Sequence, residues 1–266
     1  MKVFYSSGGF LSDELRGFYK SDISYVKIKQ LIRKKDVKIN GKRVSSDLQT
    51  SCGDEITVYY DGEARELKVL YADENILAAY KPKGENYEDF AKRLKAEYHT
   101  AEPAHRLDTN TDGIMIFSLN AKAEEELYAA FKNRTVKKFY TAEVYGRPKK
   151  SAGVFKAYLF KDAKAAKADI SPTYKKGYKE IITAYRTLEE RENSTVLEVE
   201  LITGRTHQIR AHLAYIGNFI IGDGKYGKES INKKFGARSQ RLTASRIIFA
   251  FSGGTLSYLD KKEIKL

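Results

Sequence analysis

The sequence predicts an α+β protein in which a small helix-plus-hairpin module precedes a larger domain built on a mixed, mainly antiparallel sheet. Two observations carry that prediction. Many segments read as strands and only a few as helices, which suits helices packed on an antiparallel sheet. An Asn-Gly pair sits inside an alternating stretch near the N-terminus, the mark of a tight hairpin. Two dense polar constellations, at Ala104–Gly113 and Thr203–Leu213, punctuate the larger domain.

With 266 residues the chain is long enough for one or two domains and a sizeable core. No run approaches the ~20 apolar residues of a membrane span. Residues Met1 to Phe10 lack a basic region followed by an apolar one, so no secretory signal is expected. The single cysteine, Cys52, excludes an internal disulfide, and four scattered histidines give no zinc-site spacing. A cytoplasmic protein without metal is the expectation. The net charge of +13 and pI of about 9.4 argue for a polyanionic partner, nucleic acid first.

Residues 1–60 carry 11 Lys/Arg against 7 Asp/Glu, a net of +4. Val26, Ile28, Leu31 and Ile32 fall among Lys27, Lys29, Arg33, Lys34 and Lys35, which predicts a short helix with one apolar and one basic face. Val37 to Val44 alternates around Asn40-Gly41, where a type I′ turn requires positive φ, and presents Lys42 and Arg43. Gly53-Asp54-Glu55 turns the chain into a strand at Ile56–Tyr59. Both helix and hairpin offer cations suited to phosphate. Asp61 to Ala64 reads as a linker.

Beyond it, Leu67–Tyr71 and Ile76–Tyr80 read as strands. Lys81-Pro82-Lys83-Gly84 breaks the chain, and a helix is expected over Tyr87–Tyr98. Ile114–Phe117 is a short buried strand. Asn120 caps a helix through Arg134, with Ala123, Leu127, Ala130 and Phe131 on one stripe. Lys138–Gly146, Ile181–Leu188 and Val196–Ile202 are strands. Lys149–Lys176, rich in Lys and Ala, is expected to be a loop-rich excursion. Thr206 is expected to cap a helix through Ile209, Leu213 and Ile216, with Gly217 closing it in the left-handed conformation. Leu242–Phe251 is expected as a final core strand.

Asp108 is the pivotal residue of the first constellation, with Arg106 before it and Thr109, Asn110 and Thr111 after it. It either closes an Asx-type turn or belongs to a site. In the second, Arg205 and Arg210 flank a helix start that suits an anion, either a phosphate or the protein's own Asp. The chain offers no Cys nucleophile, no Gly-x-Ser-x-Gly elbow, no Walker loop and no carboxylate cluster for metal-dependent hydrolysis. What is left is a lone Asp acting as nucleophile or proton carrier. A neighbouring arginine favours the charged form of a carboxylate, and such a group can attack a sugar or a base.

Two resemblances follow from these motifs. The helix, "VKINGKRV" and "GDEITV" over about residues 8–60 resemble the S-four RNA-binding domain, which implies that Lys27, Lys29, Arg33, Lys34, Lys42 and Arg43 grip structured RNA. "HRLDTNTDG", "KKFYTAEVYG" and "TGRTHQIRAHLAYIGNFIIGDGKYG", over about residues 67–252, are similar to the RluA-type pseudouridine synthases. That resemblance implies isomerisation of uridine in RNA to pseudouridine without a cofactor. Uracil leaves ribose carbon 1′, turns, and rejoins through its carbon 5. It implies Asp108 as the catalytic aspartate, Arg210 as its partner, Tyr140 as the tyrosine that stacks on uracil and accepts the carbon 5 proton, and Arg106 as holding the flipped-out site open. Arg205 is expected on the RNA. The domain division implied is 1–62 for RNA binding and 63–266 for catalysis.

Three departures stand out. The family usually has Thr-Ser-Gly at Thr111-Asp112-Gly113, a His-Pro pair near Glu85-Asn86-Tyr87, and Leu-His-Ala at Leu242-Thr243-Ala244. They lie off Asp108, Tyr140 and Arg210. The expected substrate is structured RNA, large-subunit ribosomal RNA ahead of transfer RNA, and the expected state a monomer. Two rivals stand beside it: a catalytically silent RNA-binding or ribosome-assembly factor on the same fold, against which the retention of Asp108, Tyr140 and Arg210 together weighs, and a glycosidic-bond hydrolase that the same carboxylate could support.

Overall fold

The computed structural model describes residues 1–19, 23, 25–60, 67–162 and 167–266. The expected linker at Asp61–Ala64 therefore lies outside the described residues. The chain forms two compact units, Met1–Lys68 with Gly84–His99, and Val69–Lys83 with Thr100–Leu266.

In the first unit the order is β1 (Lys2–Tyr5), α1 (Leu11–Tyr19), α2 (Tyr25–Arg33), β2 (Val37–Ile39), β3 (Lys42–Val44), β4 (Glu55–Val58) and α3 (Tyr87–Glu97). The strands form an antiparallel sheet in the order β1-β4-β2-β3. The predicted I′ turn is present, with φ of 48° at Asn40 and 78° at Gly41. Leu11 and Leu15 from α1, Ile28 and Ile32 from α2, and Val37, Ile56 and Val58 from the sheet form one core. Asn86 starts α3 by accepting the Asp89 N–H (2.7 Å). Glu85, at a departure, is buried and holds Arg93 through two hydrogen bonds, 3.1 and 2.9 Å.

The second unit is built on an 11-stranded sheet among the described residues. Its strands are β5 (Val69–Ala72), β6 (Ile76–Lys81), β7 (Glu102–Pro103), β8 (Asp112–Ser118), β9 (Lys137–Tyr145), β10 (Ala152–Asp162), β11 (Lys167–Ser171), β12 (Lys179–Glu190), β13 (Ser194–Leu201), β14 (Leu242–Ile248) and β15 (Glu263–Lys265). The order is β11-β10-β12-β13-β9-β14-β8-β6-β5, with β7 paired to β8 and β15 to β14. Its named pairings are antiparallel except that between β14 and β8, so the mixed, mainly antiparallel expectation holds. Helices α4 (Ala121–Asn133), α5 (Gln208–Tyr215) and α6 (Glu229–Lys234) complete the unit. Asn120 caps α4 by accepting the Ala123 N–H (3.0 Å), and Ala123, Leu127 and Ala130 pack against Ile114 and Ile116 of the fully buried β8.

The structure corrects three expectations. The Lys/Ala-rich stretch at 149–176 contains strands β10 and β11, which pair with each other, while β10 also pairs with β12. Alternation there is diluted by exposed lysines, so its strand character shows in the β10–β11 pairing and in the longer-range pairing of β10 with β12. The strand from Leu242 ends at Ile248 and is followed by β15. Thr206 does not cap α5. His207 takes that position in the left-handed conformation (φ 58°) without a side-chain cap, while Gly217 closes the helix as expected (φ 97°).

Candidate active site

Strand β9 is the spine of the site. Tyr140 on β9 sits opposite Ala244 of β14, and Ala244 is also opposite Gly113 of β8. Gly113 has φ 119°, and a Cβ there would lie 2.2 Å from the Ala244 carbonyl oxygen. Only glycine permits β8 and β14 to approach so closely. That approach brings the loop before β8, which carries Asp108, beside Tyr140.

The Asp108 loop is fastened at several points. The Thr111 N–H donates to the Asp108 carbonyl (3.0 Å), and Thr111 Oγ1 accepts from Gln240 (2.6 Å). Lys81, fully buried, donates to the Thr109 carbonyl (3.3 Å) and the Pro82 carbonyl (2.9 Å). His105 Nε2 accepts the Ile116 N–H (3.1 Å), and burial pushes its pKa down to about 3, so it is a neutral acceptor. Arg106 donates to Thr206 Oγ1 (3.0 Å), which ties this loop to the one before α5. The second loop is organised by Gln208. Its Oε1 accepts from Thr203 Oγ1 (2.9 Å) and the Arg205 N–H (3.0 Å), and its Nε2 donates to the Ile182 carbonyl and Thr183 Oγ1, both at 3.0 Å.

These two loops bring Asp108 and Arg210 together. Arg210 Nη1 donates to Asp108 Oδ2 at 3.0 Å. The other edge of the guanidinium is held by Asp223, Nε to Oδ2 at 2.7 Å and Nη2 to Oδ1 at 3.0 Å. Asp223 is 1% exposed and Arg210 7%. Burial alone would lower the Arg210 pKa, but the hydrogen bonds and charges of Asp223 and Asp108 raise it. Burial likewise opposes the charge on Asp223, and Arg210 with the Lys225 and Tyr226 N–H groups holds its pKa below the usual value. The anion beside the α5 start is thus the protein's own, and the Asp108 carboxylate accepts from Arg210, where an Asx turn would direct it to backbone N–H groups.

Sequence reasoning assigns Asp223 no role. Gly222-Asp223 follows an apolar pair, and a lone acid between glycines is its only mark. Tyr226 and His207 are missed in the same way. Tyr226 lies over Arg210 at 5.4 Å, its hydroxyl accepts the Ala168 N–H (2.6 Å) and stands 3.0 Å from His207 Nδ1. His207 Nε2 is 3.9 Å from Asp108 Oδ2. Burial lowers its pKa, and Asp108 opposes that.

A cavity of about 570 Å³ opens on Asp108, lined also by Arg106, Tyr140, Arg205 and Arg210, which places every expected site residue of this unit on one space. Asp108 is the only carboxylate among the described lining residues. Tyr140 is 6% exposed; burial first, then the Asp108 charge, raises its pKa, so it stands as a neutral phenol. Two of the departures meet: Thr243 Oγ1 donates to Asp112 Oδ1 (2.7 Å). Among the described residues no group of three or more His, Cys, Asp or Glu is placed to hold a metal, and no helix is long and apolar enough to cross a membrane.

In the first unit Lys27, Lys29 and Arg33 stand on α2, Lys34 follows it, and Lys42 and Arg43 stand on β3. Lys29 is held by Asp47 (2.7 Å) and Arg43 by the Lys35 carbonyl and the Tyr59 ring.

Residues 73–215 match the family described as RNA pseudouridylate synthase. Ribosomal large subunit pseudouridine synthase C of Vibrio parahaemolyticus is 30% identical over 265 residues, covering 90% of this chain and 80% of that protein. The dual-specificity RNA pseudouridine synthase RluA of Yersinia pestis is 34% identical over 169 residues, covering 59% of this chain and 81% of that one. The solved structure of human RNA pseudouridylate synthase domain containing 1 shares the fold, with a TM-score of 0.63 at 24% identity over 73% of this chain and 82% of that one. The chain belongs to the RNA pseudouridylate synthase family. It is an RNA-modifying isomerase.

Proposed function

We propose that the chain isomerises a uridine of large-subunit ribosomal RNA, with Asp108 as the nucleophile. The observation that carries this is the single carboxylate of a basic cavity, held by an arginine whose other edge is fixed by a buried second aspartate. The names of the relatives support the substrate. A carboxylate oxygen of Asp108 bonds to ribose carbon 1′ as the bond from carbon 1′ to uracil N1 breaks. The freed uracil turns, carbon 5 attacks carbon 1′, and the carboxylate leaves. Carbon 5 loses its proton and N1 gains one, so the reaction balances without a co-reactant. Arg210 aims Asp108 and offsets its charge. Tyr140 stacks on the base. Because it is a neutral phenol, it accepts the carbon 5 proton only while passing on its own.

The cations of the first unit, Lys27, Lys29, Arg33, Lys34, Lys42 and Arg43, hold the RNA by its phosphates in the manner of an S-four domain. Arg106 keeps the flipped-out site open and Arg205 binds the RNA backbone.

A pseudouridine map of ribosomal and transfer RNA, with and without the chain, tests this. Loss of a site in large-subunit RNA is expected when the chain is removed. No lost site favours the silent factor, a lost transfer-RNA site moves the substrate, and release of free uracil marks a hydrolase.

A further inference from the structure

The cavity beside Asp108 has a second wall that the isomerisation does not use. Helix α4 contributes Tyr128 and Lys132, Arg134 stands at its C-cap, and Lys138 comes from β9. Tyr128 is 68% exposed, with Lys132 Nζ 5.8 Å from its ring centre. Arg134 adopts the left-handed conformation (φ 62°), which folds the chain back so that Arg134 and Lys138 share one wall. Burial lowers the Lys138 pKa, and the charge of Arg134 lowers it further. These two cations therefore repel each other.

Several arginines elsewhere in this unit are matched with acids. Arg186 pairs with Glu198, Arg191 with Glu189, Arg241 with Glu143 and Arg246 with Glu198, each at 2.8 Å. Among the described residues no carboxylate lies within ion-pair distance of Lys132, Arg134 or Lys138. Gly204 stands opposite, where a Cβ would come within 3.4 Å of Lys138 Nζ. Two like charges held together without a counter-ion are unfavourable, and a phosphate between them converts repulsion into charge-assisted hydrogen bonds. An exposed aromatic ring beside such cations is the pairing that binds an unstacked nucleotide.

We infer that Tyr128, Lys132, Arg134 and Lys138 form a subsite for a nucleotide next to the target uridine, with Tyr128 stacking on its base and Arg134 and Lys138 taking its phosphodiester. This rests on the proposed reaction at Asp108. The neighbour is bound by ring and phosphate, so the subsite requires an unpaired nucleotide there and tolerates any base.

The full chain is tested on an RNA that it modifies, with 2-aminopurine placed on either side of the target. Tyr128→Ala is expected to raise KM by roughly 5- to 100-fold, more than it changes kcat, and to abolish the quenching of one 2-aminopurine. Tyr128→Phe should keep both. Arg134→Gln with Lys138→Gln should reduce the salt slope of RNA binding by about 0.7 for each phosphate no longer neutralised. Arg134→Gln alone, at an exposed position, gives the same sign if the double variant melts early. An unchanged KM and quenching in Tyr128→Ala, or an unchanged slope in both Arg134 variants, overturns the subsite. If the wild-type chain forms no pseudouridine in any RNA, the reaction itself is wrong; a working wild type with indifferent variants removes only the subsite.

Discussion

Thr243 donates its hydroxyl to Asp112 across 2.7 Å, at the register where β14 and β8 run parallel. Both positions depart from the pattern of the resembled family, and they lie 131 residues apart in the chain. Tyr80 gives the same carboxylate a second hydroxyl (2.6 Å), and Lys83 stands 3.6 Å away. A buried carboxylate with two donors and a nearby ammonium is satisfied, so the two departures form one hydrogen bond that fastens the strand following Asp108.

Thr243→Val should destabilise the protein by about 1–3 kcal/mol, because it strips a donor from a buried charged group. Urea unfolding of Thr243→Val, Asp112→Asn and the double variant measures the coupling. A coupling above about 0.5 kcal/mol is expected for residues that touch. Additive losses would show that the two positions vary independently.

Asp223 is expected to act through Arg210. Asp223→Ala leaves a buried guanidinium short of its bidentate partner and should cost about 3–5 kcal/mol. Asp223→Asn keeps the shape and should fold better while lowering kcat more than it raises KM. The Asp223 pKa is lower in the folded chain, so the folded state binds fewer protons there than the unfolded one. Its stabilisation is present above the unfolded carboxylate value of about 4 and is lost as pH falls through the folded one. An acid-unfolding profile that is shallower in Asp223→Asn than in wild type is the expected signature; identical profiles would remove Asp223 from the linkage.

Much of the fold is legible where the chemistry is local. Asn40-Gly41, the Asn120 cap and Gly217 each declare a backbone conformation through one or two residues, and each stands where expected. Strands β10 and β11 are not legible, because their lysine-rich alternation is weak and joins the large sheet only through the pairing of β10 with β12. Thr206 looks like a cap, but its hydroxyl is engaged by Arg106, 100 positions back in the chain, a pairing no local pattern encodes. Asp108 and Arg210 stand out by their dense polar surroundings. Asp223 does not, since its importance lies in the far edge of the Arg210 guanidinium.

In the first unit, Lys34 and Lys42 have no acidic partner among the described residues, whereas Lys29 is held by Asp47. Lys34→Gln with Lys42→Gln should therefore lower the salt slope of RNA binding by about 0.7–0.9 for each phosphate released, without a change in melting temperature. A slope equal to wild type would mean that this face does not meet RNA.

Tyr140→Phe keeps the ring and removes the hydroxyl. Base stacking should survive, and turnover should fall by ~10²–10⁴ if the phenol relays the carbon 5 proton. Rapid-quench rates on a modified RNA decide this, and near-normal turnover would reduce Tyr140 to stacking alone.

Asp108→Asn tests the central claim most directly. The substitution is nearly isosteric, so the loop held by Lys81, Gln240 and Arg106 should persist. Removing one negative charge from a basic cavity should leave RNA affinity equal or slightly tighter. Pseudouridine formation is measured beside RNA binding and a melting curve. The expected result is a folded variant that binds RNA and makes no pseudouridine; substantial pseudouridine formation by Asp108→Asn would contradict a mechanism built on that carboxylate.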